Sequence, residues 1–477
     1  MNGSLSKRAG RALGVNIVNT VSIRLGTFLI GVALARILGP EEFGTFAVAL
    51  LALLALLNFN ELGVSLAIVR WPGSPDEIAP TVAALSIVSS IVIFVAAFFA
   101  APWFSSVMGA PQATDVVRLL SISVVIDGIV ATPAALLQRE FRAERRMVID
   151  QVNSWLGAVV SIGTAIAGMG AMSLAVGRIT GALAGAALFL HYAPFHLGFD
   201  RDVARRLLAF GVPLAGASVL VFAVTYVDQF VVGAVLGPGA LGFYVLAFNL
   251  SSWPVSVLSQ PVRQVSPAAF ARLQGDPPAL RSAFVSSSGL LAAATLPFCL
   301  VLAGTAVPLV NVVYGAAWAP AASVLWCLGL LAAFRIFFEL VYDYFVVVRE
   351  TRAIFKVQMI WLIALVPALY LGARAGGIEG AGIAQVLIAA GVVLPLYLAR
   401  LHRNGISWRS LAATMAVPAG LGCGVVAVAL AAHRFIALDE AALAVAGLSV
   451  LTVLALEARS MQATAQRLRT VLDSGTA

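Results

Sequence analysis

The chain has 477 residues, of which 61% are hydrophobic and only 11% charged, and its net charge is +8. Mean hydropathy is +0.98. An average soluble domain carries about 25% charged residues, and the 30 basic and 22 acidic side chains here are too few to cover a water-facing surface of this size. Composition thus excludes an ordinary soluble enzyme, a disordered chain and a fibre, and leaves a polytopic membrane protein.

A hydrocarbon core of ~30 Å needs about 20 apolar residues per helix. Apolar runs bounded by charges or Pro/Gly breaks predict fourteen spans, in chain order 13–37, 43–69, 79–101, 116–138, 148–168, 173–194, 209–236, 241–262, 284–312, 320–348, 355–371, 380–399, 411–431 and 440–458. The shortest are 148–168 and 355–371. No connecting stretch is long enough for a water-soluble domain, so the predicted class is all-α integral membrane. With the N-terminus inside, 23 Lys and Arg residues fall on the inner side. Five fall outside (Arg36, Arg118, Arg178, Arg374 and Arg434), and Arg24 and Arg335 lie within spans. The positive-inside bias predicts cytoplasmic N- and C-termini. The first apolar run is too long for a signal-peptide core and reads as an uncleaved helix.

Residue counts exclude further chemistry. Cys299, Cys327 and Cys423 each sit in apolar runs and read as reduced packing residues. His191, His196, His402 and His433 have no metal-ligand spacing. Neither Lys7 nor Lys356 follows a glycine, so a phosphate-binding loop is absent. No cofactor is expected. The basic balance fits membrane topology and does not call for a nucleic-acid partner.

An internal repeat is visible. Leu38-Gly39-Pro40 followed by Gly44 and Phe46 returns as Leu236-Gly237-Pro238 followed by Gly242 and Tyr244, at an offset of 198. Val107-Met108-Gly109-Ala110 resembles Val313-Tyr314-Gly315-Ala316. Arg142, Arg145 and Gln151 recur as Arg349, Arg352 and Gln358 at an offset of 207. A period near 200 residues holds six spans, an even number, so the copies are parallel repeats. The expected domains are an N-lobe at 1–208, a C-lobe at 209–408, and helices 13–14 with a cytoplasmic tail at 409–477. Leu-Gly-Pro is expected to stop one helix and restart the next within about five residues.

Ala35-Arg36-Ile37-Leu38-Gly39-Pro40-Glu41-Glu42-Phe43-Gly44, Glu61-Leu62-Gly63, Asp228 before Leu236-Gly237-Pro238, Gly242-Phe243-Tyr244 and Tyr314-Gly315-x-x-Trp318 carry a family resemblance over roughly residues 10–400. The sequence resembles the oligosaccharide and polysaccharide flippases (O-antigen and exopolysaccharide translocases) of the multidrug/oligosaccharidyl-lipid/polysaccharide exporter superfamily. Glu61 stands where members of that family often have Asp, so the carboxylate is kept and its length is not. The resemblance implies a V of two six-helix lobes plus two C-terminal helices in a bacterial inner (cytoplasmic) membrane. It implies movement of a polyprenyl-pyrophosphate-linked oligosaccharide from the cytoplasmic to the outer leaflet, with polysaccharide assembly proteins as partners.

Seven ionisable residues fall inside predicted spans: Arg24, Glu61, Asp127, Asp228, Arg335, Glu339 and Asp343. Each costs at least ~2.5–3.5 kcal/mol at a helix centre and should avoid lipid. Thr20, Arg24 and Thr27 share one helix face, a polar stripe aimed at a wet cavity. Arg24 is either the fork that holds a pyrophosphate or sugar acid, or the partner of Glu61 in an ion pair. Arg335, Glu339 and Asp343 are spaced by four and form one stripe in which the first two can neutralise each other. Substrate contact is expected at Arg24, Thr20, Thr27, Glu61, Arg335 and Asp343. Proton or sodium coupling is expected at Asp228 and Glu339, with a helix contact as the alternative for Asp228. Asp127 reads as a packing hydrogen bond.

The basic clusters read as anchors on anionic membrane lipids. Their symmetric placement adds a second role for Arg142, Arg145, Arg349 and Arg352, gathering a lipid diphosphate headgroup at the inner mouth. Trp103-Phe104, Trp253, Trp318 and Trp361 read as interface aromatics. Three functions remain in view. A lipid-linked oligosaccharide flippase working by alternating access suits the cationic midspan, with membrane potential or an ion gradient as its energy. A drug or cation antiporter of the same superfamily suits the buried acids. A membrane polymerase or glycosyltransferase lacks a sizeable acid-bearing outer loop.

Overall fold

The structure is a computed structural model. It describes the backbone of residues 2–60, 65, 67–68, 71, 73–140, 142–259, 266, 269–436 and 438–474. Of these residues, the side chains of 2–25, 143, 210, 212–214, 217, 220, 257–258, 465 and 467–474 are not described.

Every regular element among the described residues is helical. The α-helices are α1 (Asn2–Asn60), α2 (Ala79–Val107), α3 (Thr114–Arg139), α4 (Ala143–Ile166), α5 (Met172–Tyr192), α6 (Arg201–Pro254), α7 (Pro277–Gly304), α8 (Ala306–Tyr314), α9 (Ala321–Val347), α10 (Thr351–Ile388), α11 (Leu394–Arg403), α12 (Trp408–Phe435) and α13 (Asp439–Ser474). Two π turns, Val255–Ser259 and Ala389–Val393, follow α6 and α10.

Ten helical segments among the described residues are long and apolar enough to cross a membrane. Three of them, Gly26–Asn60, Val221–Pro254 and Thr351–Arg403, each contain parts of two predicted spans. The fourteen predicted spans fall mostly on helix over their described residues; 284–312 is interrupted at Thr305, and 148–168, 173–194 and 320–348 each run one or two residues beyond their helices. The segment 148–168 lies on α4, where Asp150, Gln151 and Asn153 reduce its apolar character.

The Leu-Gly-Pro motif makes a sharper junction than expected. No loop intervenes: Gly39 alone leaves helical geometry (φ 73°, ψ 175°) and α1 resumes at Pro40. Gly237 does the same in α6 (φ 84°, ψ −179°). This backbone region is essentially restricted to glycine, and proline is well suited to the first residue of the resumed helix. The second echo also holds locally. Gly109 (φ 64°) and Gly315 (φ 94°) each precede a short 3₁₀ turn, at Pro111–Ala113 and Ala316–Trp318.

The chain forms two compact units, Met1–Gly242 and Phe243–Ala477. Inside the first, the two Leu-Gly-Pro bends meet. A side chain at Gly44 would overlap the Pro238 carbonyl, and a Cβ at Gly242 would lie 2.5 Å from the Pro40 carbonyl oxygen. Glu42 accepts the Ala171 N–H (2.7 Å) at the start of α5, where a carboxylate complements the helix dipole. Helices α4 and α5 pack through Gly157, Gly177 and Gly181, which bring the backbones close. In the second unit, α7 packs against α9, α12 and α13. Trp318 is buried, with its ring edge-on to Phe243 at 5.8 Å, and belongs to the core of this unit and not to an interface belt. Trp103 is 68% exposed.

Candidate functional site

The side chains of Thr20 and Arg24, and the whole of Glu61, lie outside the described residues, as does the Arg24–Glu61 pairing. Thr27, from the same predicted stripe, is exposed.

In the first unit the polar residues cluster on α1, α3 and α5. The Asn60 amide donates to the Asp127 carboxylate (Nδ2–Oδ2, 3.2 Å). The positive charge of Arg178 acts on the same carboxylate. Asp127 is therefore a helix-packing acceptor, as its apolar neighbours suggested, and it has a cation for company. Arg178 lies within α5, six residues past Met172. On α6, Asp228 is 4% exposed and accepts the Gln229 backbone N–H at 2.8 Å. Thr225, one turn earlier, donates to the Val221 carbonyl. A buried carboxylate with a buried Gln229 beside it has the ingredients of a proton or cation contact.

In the second unit the α9 stripe faces the end of α6. The Arg335 guanidinium lies over the Phe248 ring, 5.1 Å from its centroid. Glu339 accepts a hydrogen bond from Ser259 Oγ at 3.2 Å. Ser259 closes the π turn Val255–Ser259, and an extra residue of this kind re-aims side chains at functional positions. Asp343 is 6% exposed. Its neighbour Tyr344 is packed against Phe270 and Phe284, while Tyr342 reaches the surface. Arg335 and Glu339 thus share one face with an aromatic ring and a hydroxyl, which suits a ligand with both sugar rings and charge.

The four arginines of the basic clusters are exposed. Arg142 pairs with Glu140 at 2.6 Å, and the Arg145 guanidinium lies over Tyr192 at 5.1 Å. Arg349 adopts φ 62° where the chain leaves α9, and Glu350 N–H closes the turn on the Phe345 carbonyl. Arg352 is in the first turn of α10. Arg139, from the same run as Arg142, has a structural job, donating to the carbonyls of Ile68 (2.6 Å) and Gly73 (2.7 Å). Among the described residues no three His, Cys, Asp or Glu side chains converge as metal ligands.

Long apolar helices bent at repeated Gly-Pro junctions, with ionisable groups carried inside them, define a multi-pass helical membrane protein. The solved structures bear out the fold. The lipid II flippase MurJ in its inward closed conformation matches with a TM-score of 0.70 at 12% identity, covering 92% of this chain and 99% of that one. An inward-facing multidrug resistance MATE family transporter matches with a TM-score of 0.65 at 18% identity, covering 80% and 95%. Residues 33–323 match the family described as "Polysaccharide biosynthesis protein", and the chain belongs to that family. Succinoglycan biosynthesis transport protein ExoT of Rhizobium meliloti (strain 1021) is 28% identical over 63% of this chain. That match spans 60% of ExoT's own length. Lipopolysaccharide biosynthesis protein WzxC of Escherichia coli (strain K12) is 23% identical over 78% of this chain and 76% of its own. Of these proteins, ExoT is described as a transport protein, and the two solved structures are of a flippase and a transporter.

Proposed function

We propose that this protein is a flippase for a polyprenyl-(pyro)phosphate-linked oligosaccharide, carrying it from the cytoplasmic to the outer leaflet of a bacterial inner membrane by alternating access. The observation that carries this reading is the family match over 33–323 joined to a fold shared along nearly the whole chain with a lipid II flippase. Arg24, with Thr20, Thr27 and Glu61, anchors the anionic headgroup. Arg335 and Asp343 meet the sugar, beside the Phe248 ring. Arg142, Arg145, Arg349 and Arg352 gather the diphosphate at the cytoplasmic mouth, and both termini are cytoplasmic. Asp228 and Glu339 bind the coupling proton or sodium ion. Membrane potential helps, since an anion moving toward a positive exterior gains ~2.3 kcal/mol per charge per 100 mV. Polysaccharide assembly proteins take up the delivered glycan.

The test is deletion of the gene from its own host followed by identification of the accumulated lipid-linked glycan. The expected result is an intermediate whose sugar faces the cytoplasm, restored to export by the wild-type chain. An Asp228→Asn variant should lose its response to imposed proton or sodium gradients; undiminished coupled transport removes Asp228 from the mechanism. One second reading has support of its own. The likeness to a MATE fold and the buried acids Asp228 and Asp343 suit a drug or cation antiporter. Altered drug sensitivity with no glycan intermediate would put that reading first.

A further inference from the structure

On α13, Ala442, Ala446, Val450 and Val453 recur at helical spacing and are all buried. The next position of that stripe is Glu457, itself only 5% exposed. Leu448, Leu451 and Leu456, on the other faces, are each more than 60% exposed. The helix thus turns Leu448, Leu451 and Leu456 outward and Glu457 inward. Val450, Val453 and Leu454 pack with Leu421 and Val425 of α12 and Phe298 and Val301 of α7, an apolar layer immediately before Glu457. Its Oε2 is buried without a hydrogen-bond partner.

The titratable groups on the elements packed against α13 are few. On α12, Arg409 lies over the ring of Trp408, His433 contacts Asp439 at the start of α13, Cys423 is exposed and Arg434 is exposed. On α7, the Arg281 guanidinium lies against Gly405, and Cys299 is a buried thiol. Tyr314 ends α8. On α13 itself, Asp439 and Glu440 open the helix and Arg459 is exposed. Packed among these helices with its Oε2 unpartnered, a carboxylate is costly to ionise, and the neutral acid removes the penalty.

We propose that Glu457 is a proton-binding site that holds the C-terminal hairpin of α12 and α13 against α7. The acid carries its proton in the packed state. Loss of the proton places an uncompensated charge between the three helices and loosens the hairpin. This role is independent of the cargo, and of Asp228 and Glu339.

The probe is N,N′-dicyclohexylcarbodiimide, which enters apolar regions and reacts with protonated carboxyls. The acid adds across one C=N bond, its proton goes to nitrogen, and the adduct rearranges to an N-acylurea with nothing lost. The full chain in lipid vesicles should be labelled at Glu457, read by peptide mass, and labelling should fall about tenfold per pH unit once the acid ionises. Sodium chloride should not protect it. In parallel, the thermal midpoint of the wild-type chain should fall with rising pH relative to Glu457→Gln. The sign follows from the proposal: ionisation is costly only while the side chain is packed between the helices, so stability is lost as pH rises. Should Glu457→Gln fail to fold, the labelling profile of the wild-type chain decides alone. An unlabelled Glu457 in a fully covered digest, protection by sodium, or a wild-type-to-variant midpoint difference that does not change with pH would each overturn the proposal.

Discussion

Replacing Gly44 by Ala tests the contact between the two repeated bends. The added Cβ would overlap the Pro238 carbonyl oxygen. Both partners are backbone, so neither can rotate away, and the helix arms must separate. Overpacking of this kind costs typically ~1–3 kcal/mol, and a rigid carbonyl obstacle places it in the upper part, about 2–3 kcal/mol. Ala recovers ~1 kcal/mol over Gly in a helix interior, leaving a net loss of about 1–2 kcal/mol. Gly31 is the control: it lies in the same helix with nothing within 4 Å of its would-be Cβ. Gly31→Ala should therefore be neutral or gain up to ~1 kcal/mol. For a unit of this size the loss at Gly44 corresponds to a midpoint drop of roughly 2–8 °C. Thermal unfolding of the detergent-solubilised protein measures both variants. Gly242→Ala attacks the same approach from the other side, so the double variant should lose less than the sum of the two. If Gly44→Ala and Gly31→Ala shift the midpoint equally and in one direction, the bends do not depend on close backbone contact.

Two further outcomes follow from the charged clusters. Arg178→Gln should lower the thermal midpoint slightly by removing a cation that acts on Asp127, at a cost of up to ~1 kcal/mol because Arg178 is exposed to screening; adding Asp127→Asn should restore most of it, and a double variant worse than Arg178→Gln alone would refute the pairing. Arg335→Lys keeps the charge and loses the flat guanidinium over Phe248, so glycan export should weaken by a few-fold, matching a cation–π contribution of ~0.5–1 kcal/mol. Phe248→Leu should do the same, and full export by both variants would separate that stack from transport.

Much of the architecture was legible because a bilayer makes hydropathy decisive. A span must be apolar for about 20 residues, so the segments could be counted without knowing their neighbours. The bends were legible too, since Gly39 and Gly237 occupy backbone geometry that side chains exclude. Glu339 and Arg335 stood out because charge in lipid is costly wherever it points.

The sequence by itself therefore determined the membrane class, the helical segments, the repeated Leu-Gly-Pro junctions and the set of charges that need shelter. It did not show that the junction takes a single residue, that Arg178 belongs with Asn60 and Asp127, that Trp318 is core, or that Glu457 faces inward. Hydropathy is a property of one residue, whereas shelter is a property of what other helices place beside it. Only tertiary packing supplied the Ser259 hydroxyl to Glu339, the Phe248 ring to Arg335 and the apolar layer to Glu457.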